Sequence, residues 1–101
     1  MLIIAGTLDV APEQRDQVLA LAEPLMLATH DEAGNHEYVF SADPLVPGRI
    51  RIFEIWESDD NLSTHFEQPH MKEWGAALSA FDIKGSDLTK HTIATSGPLR
   101  G

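Results

Sequence analysis

Residues 49–57, Arg-Ile-Arg-Ile-Phe-Glu-Ile-Trp-Glu, constrain the fold more than any other part of this chain. An extended backbone sends successive side chains to opposite faces. Ile50, Ile52 and Trp56 then point one way, and Phe53 and Ile55 the other. A strand that is apolar on both faces needs cover on both. The chain has 101 residues, enough for one small domain. A domain of that size buries only roughly two-thirds of the surface its unfolded chain exposes. One layer of helices covers one sheet face, so the other face calls for a second copy of the chain. A homodimer with facing sheets is expected, and the pattern leaves open which face meets the partner.

The remaining segments supply the rest of such a sheet. Residues 2–9 read as a strand, and Pro12 suits the first turn of a helix. Val18, Leu21, Ala22, Leu25, Met26 and Thr29 recur at helical spacing over about five turns, with Pro24 expected to kink the helix. Residues 31–35 form a turn. Residues 36–42 then alternate, with His36, Tyr38 and Phe40 on one face and Glu37, Val39 and Ser41 on the other. A proline- and glycine-containing loop over 43–48 leads into the central strand. Ser58 is a good N-cap for a helix whose Leu62, His65 and Phe66 share a face, and Pro69 ends that helix. Met71, Trp74, Leu78 and Phe81 mark the next one. Residues 84–87 read as a turn and 88–95 as a threonine-rich strand. The order strand, helix, strand, strand, helix pair, strand predicts an α+β, ferredoxin-like split βαβ sheet with helices on one face. Residues 1–96 form its single domain and 97–101 a tail.

Composition removes several function classes. Lys and Arg number 7 against 16 Asp and Glu, for a net charge of −9. Such a chain has nothing to neutralise a nucleic-acid backbone or an anionic membrane surface. There is no cysteine, which excludes disulfides, thiolate metal sites and cysteine nucleophiles. The N-terminus lacks the basic flank of a signal peptide, and no apolar run approaches a membrane span, so a soluble cytoplasmic protein is expected. Glycine-rich phosphate loops and the nucleophile elbow of serine hydrolases are missing as well.

Two residues stand out as carriers of chemistry. Glu54 shares its strand face with Ile50, Ile52 and Trp56. Such a carboxyl is either tuned as an acid or base by its apolar neighbours or held in a structural ion pair with Arg49, Arg51 or a helix residue. His65 lies on a helix that packs on the sheet, where an imidazole serves either as a base or as a hydrogen-bonded core residue. Its expected place is a pocket between helices and sheet, within reach of Glu54 or Tyr38. His70 follows five residues later, across Pro69. That spacing does not put both histidines on one helical face, so no two-histidine metal site is expected, and His70 is read as a cap of the next helix. His36 and Tyr38 share a strand face, and Trp56 and Phe66 are candidate walls of an aromatic pocket.

At Glu54-Ile55-Trp56-Glu57-Ser58, followed by Leu62, His65 and Pro69-His70-Met71-Lys72, the chain resembles the antibiotic biosynthesis monooxygenase family, closest to its quinol monooxygenase branch. Gly34-Asn35, Tyr38 and Asp43-Pro44 fit upstream at the family's spacing. The resemblance implies a ferredoxin-like protomer whose homodimer forms a dimeric α/β barrel. It also implies oxygenation of a small aromatic quinol or phenol by O₂ without metal or flavin, with His65 and Glu54 as catalytic groups and Tyr38, Trp56, Phe66 and His36 around the substrate. Heme-degrading members differ, carrying Asn, Trp and His where this chain has Gly6 or Thr7, His65 and Gly75. One relative with the same Gly-Asn turn and Asp-Pro loop is an isomerase of a phosphorylated signal molecule. A non-oxidative isomerase or lyase, or a dimer that binds a small ligand without catalysis, are therefore the alternative readings.

Overall fold

In the computed structural model, which describes residues 1–101, the two-faced segment forms β3 (Arg49–Trp56). It lies inside a four-stranded sheet with β1 (Leu2–Val10), β2 (Asn35–Ala42) and β4 (Ile83–Thr92), in the order β2-β3-β1-β4. All neighbours are antiparallel, so β1 and β2 run the same way with β3 between them. A 3₁₀ turn at Pro12–Gln14 leads into α1 (Arg15–His30), and α2 (Asp59–Phe66) and α3 (Pro69–Leu78) follow β3. This is the ferredoxin-like α+β fold.

The helices take the face of Ile50, Ile52 and Trp56. Those side chains pack with Leu2, Ile4, Leu8, Tyr38 and Phe40 of the sheet and with Val18, Ala22, Leu25, Leu62 and Trp74 of the helices. The other face stays open. Register places Val39, Phe53 and Ala5 side by side there, with Ile55 and Ile3 beside them. Phe53 is 38% and Val39 42% exposed, which identifies the face the helices leave uncovered.

Several boundaries differ from expectation. Residues 84–87 are not a turn but part of β4, with Gly85, Ser86 and Asp87 opposite Asp9, Leu8 and Thr7 of β1. The free edge of β1 carries backbone groups that need partners, and that requirement overrides local turn preference. Pro24 does not interrupt α1; it sits on the solvent side of the helix. Leu21, read as part of the core stripe, is 45% exposed. Pro69 opens α3 after the N-cap Gln68, so His70 lies inside that helix rather than capping it. No helix is long and apolar enough to cross a membrane.

Candidate active site

Strand β3 and helix α2 are joined by two residues, Glu57 and the cap Ser58. Ser58 is extended, and its hydroxyl accepts the Asn61 N–H at 3.2 Å, which starts α2 directly over the end of β3. The short connection keeps the first turns of α2 close to Trp56. Leu62 and His65 turn inward from this helix and are buried. Phe66 does not. It was expected to face the sheet beside Leu62, yet it is 59% exposed and stands at the rim. An eight-residue helix offers a narrow inner stripe, and Leu62 and His65 occupy it.

The His65 ring is 1% exposed and packed among aromatic rings. Its centroid lies 4.7 Å from that of Trp56, 5.2 Å from Tyr38 and 5.7 Å from Phe66. The His65, Tyr38 and Phe66 rings, with Glu54, Phe40, Met71 and Leu88, border a cavity of about 200 Å³ between the helices and the sheet, whereas Trp56, expected as a wall, is fully buried and lies outside its lining. Leu88 of β4, half exposed, stands at its open side. The cavity is mostly apolar, with Glu54, His65, the Tyr38 hydroxyl and Ser86 as its polar groups.

Three of these polar groups, Glu54, Tyr38 and His65, have a defined partner. The indole N–H of Trp56 donates to Glu54 Oε1 at 2.8 Å. Glu54 makes no ion pair with Arg49 or Arg51, which instead bind Asp9 and Asp43 on the open face. Burial pushes the Glu54 carboxyl above its ordinary range, the Trp56 bond opposes this, and the charge of Glu32 adds to it. The Tyr38 hydroxyl donates to the Met71 sulfur at 3.8 Å. Burial, with the charges of Glu54 and Glu32, raises its pKa far above the phenol range, so it stays protonated. Burial lowers the His65 pKa, while the bond to Glu32 and its charge act the other way.

The partner of His65 is neither Glu54 nor Tyr38. Its Nδ1 lies 2.7 Å from Oε2 of Glu32, which leaves Nε2 without a hydrogen-bond partner in the chain. Glu32 sits in the turn after α1, and the same oxygen takes His70 Nε2 at 2.7 Å. Gly34 shapes this turn. Its φ is +80°, and a Cβ there would lie 2.3 Å from the Asn61 side chain, so glycine lets the turn settle against α2. His65 and His70 do not share a helical face, as their spacing implies, yet the two rings meet. They lie on different helices, and the break before Pro69 brings both rings to one carboxylate, 6.1 Å apart by centroid.

His36 does not join the cavity. A bulge between Asn35 and Glu37 shifts the register of β2, and the His36 side chain pairs with the exposed Glu57. Glu32 and His70 carried no sequence signal as site residues: one reads as a polar turn residue, the other as a cap. A larger groove of about 400 Å³ runs between α1 and α3, lined by Leu21, Leu25 and Trp74 with His70 and Glu73 as its polar groups. It lacks Glu54, Tyr38 and the buried His65.

Comparison with known proteins supports a family assignment. Residues 1–77 match the family described as antibiotic biosynthesis monooxygenase. An uncharacterized protein of Synechocystis, sll1783, is 26% identical over 98 residues, which cover 97% of this chain and 67% of that protein. A structure from Deinococcus radiodurans, provisionally assigned as an antibiotic biosynthesis monooxygenase, superposes with a TM-score of 0.90 at 26% identity and covers 100% of both chains. The structure of Rv0793 from Mycobacterium tuberculosis shares the fold, with a TM-score of 0.84 at 18% identity over 96% of this chain and 98% of that one.

Proposed function

Because the chain belongs to the antibiotic biosynthesis monooxygenase family, we propose that it oxidises a small aromatic quinol or phenol with O₂, using His65 as the base. The observation that carries this reading is the buried His65 ring, anchored at Nδ1 by Glu32 and bordering an aromatic cavity. A carboxylate on Nδ1 fixes the tautomer and leaves Nε2 as an acceptor. An engineered apolar cavity of about 150 Å³ holds benzene, so the space of about 200 Å³ here suits one aromatic ring.

In this mechanism Nε2 takes the hydroxyl proton of the substrate. The electron-rich anion then reduces O₂ by one electron, and the two radicals combine at a ring carbon bearing hydrogen. Loss of water from the resulting hydroperoxide leaves a carbonyl. For a simple phenol, one O₂ yields one quinone and one water, with all four electrons supplied by the substrate. Glu54, protonated more readily than an ordinary carboxyl, supplies a proton to the departing water. Tyr38 and Phe40 wall the ring, Trp56 holds Glu54 and packs against His65 from outside the cavity, Phe66 stands at the rim, and the apolar lining keeps bulk water from the anion. The open face of the sheet, with Phe53, Val39 and Ile55, is the homodimer surface in this reading.

Oxygen uptake by metal-free protein over a panel of single-ring and fused hydroquinones tests the proposal. Stoichiometric uptake with quinone formation is expected. His65→Ala should slow it on the order of a hundredfold or more with an unchanged circular dichroism spectrum. Unchanged turnover in that variant would remove His65 as the base. No uptake, together with exchange of substrate C–H for deuterium from a small carbonyl compound, would favour the isomerase reading.

A further inference from the structure

Glu32, His65 and His70 come from three separate segments: the turn after α1, α2 and α3. Each offers one ligating atom, and the three atoms lie within 4.8 Å of one another. The side chains are 10%, 1% and 20% exposed, so the cluster is sheltered but reachable from the His70 side. Two imidazoles and one carboxylate form a nitrogen-rich donor set, suited to zinc and its first-row neighbours rather than to calcium or magnesium, which prefer oxygen. The carboxylate already draws both ring nitrogens to 2.7 Å of one oxygen, and an ion at about 2.0–2.2 Å from each ligand needs only slight widening of that geometry. The net charge of −9 favours cation capture over the whole surface.

We propose that Glu32, His65 and His70 bind one divalent transition-metal ion of the zinc class, and that its binding takes His65 out of acid–base service. The second half rests on His65 being the base. A neutral imidazole bound to metal through Nδ1 keeps its proton on Nε2. Toward the cavity His65 then donates a hydrogen bond and no longer accepts a proton. The metal-bound protein is an inhibited form, relieved by a chelator.

Titration of metal-free protein with Co²⁺, followed by its visible d–d absorption, tests the site directly. One equivalent per chain is expected, displaced by Zn²⁺. His70→Ala and Glu32→Gln should each weaken binding by a hundredfold or more, with folding followed by circular dichroism. His36→Ala, which removes an exposed histidine outside the cluster, should bind like the parent. Equal Co²⁺ affinity in the parent and His70→Ala would overturn the site. In oxygen uptake, stoichiometric Zn²⁺ should inhibit the parent and spare His70→Ala. Binding at the cluster without inhibition would overturn the coupling to His65. If no hydroquinone is oxidised at all, the monooxygenase reading fails while the Co²⁺ titration still decides the metal site.

Discussion

Glu54 illustrates how a single side chain in this sheet is tuned by its surroundings. It is 6% exposed, lies between Ile52 and Trp56 on the helix-covered face, and has one indole N–H as its hydrogen-bond donor. Burial raises its folded-state pKa. The folded state therefore binds the Glu54 proton more tightly than the unfolded chain does. This contribution to stability is fully present below the unfolded carboxyl pKa and is lost as pH rises through the folded value. Glu54→Gln keeps an oxygen for the Trp56 N–H and removes the ionisation. It should melt several degrees higher than the parent at neutral pH, and the gap should close as pH falls toward 4, the ordinary glutamate range. Thermal melts across that window check the sign. In oxygen uptake the same variant should be slower, because the amide cannot deliver a proton. A variant both more stable and less active is the pattern expected of a group retained for chemistry rather than for folding.

The pairing of β1 with β4 turns on Gly6. A Cβ at this position would lie 1.9 Å from the carbonyl oxygen of Asp87, a contact with backbone that no side-chain adjustment relieves. Glycine lets β4 pass close over the middle of β1, which carries Leu88 and Ser86 to the side of the cavity. Gly6→Ala should therefore cost roughly 1–3 kcal/mol, the usual penalty of overpacking. The loss should show first as faster hydrogen exchange in 85–90 of β4, with β2 and β3 less affected. At the other end of the sheet the bulge at Asn35 plays the corresponding part for β2. It returns Tyr38 and Phe40 to the inner face and sends His36 outward.

For the molecule as a whole, the open sheet face is the feature left to resolve. Val39, Phe53, Ala5, Ile55 and Ile3 form an apolar strip, bordered by the Arg49–Asp9 and Arg51–Asp43 ion pairs. A small domain with one face of its sheet uncovered gains most from a second copy. Light scattering should give about twice the chain mass of 11.1 kDa. Phe53→Asp places a charge on this strip without touching the helix-covered core, so the protomer should fold and the dimer should dissociate at micromolar concentration. A parent protein that is strictly monomeric over that range would show that the strip meets no second copy.

The fold was readable from the sequence because its signals are local and periodic. Alternation at 49–57, helical spacing at Val18, Ala22 and Leu25, and the cap at Ser58 each act within a few residues. They suffice for element order and for the burial of Glu54 and His65, while the likeness to a family rests on the resemblance of the residue motif across the β3–α2 junction. The start of β4 was not readable, since residues 84–87 have turn chemistry and become strand only by pairing with β1. Nor was the rotation of α2, which exposes Phe66, or the bulge that removes His36. The meeting of Glu32 with His65 and His70 was hidden most deeply, because the carboxylate stands 33 residues from one histidine and 38 from the other. Periodicity reports which way a side chain points from its own element. Whether two such side chains meet depends on where separate elements come to rest in the packed domain, and that is settled only when the core closes.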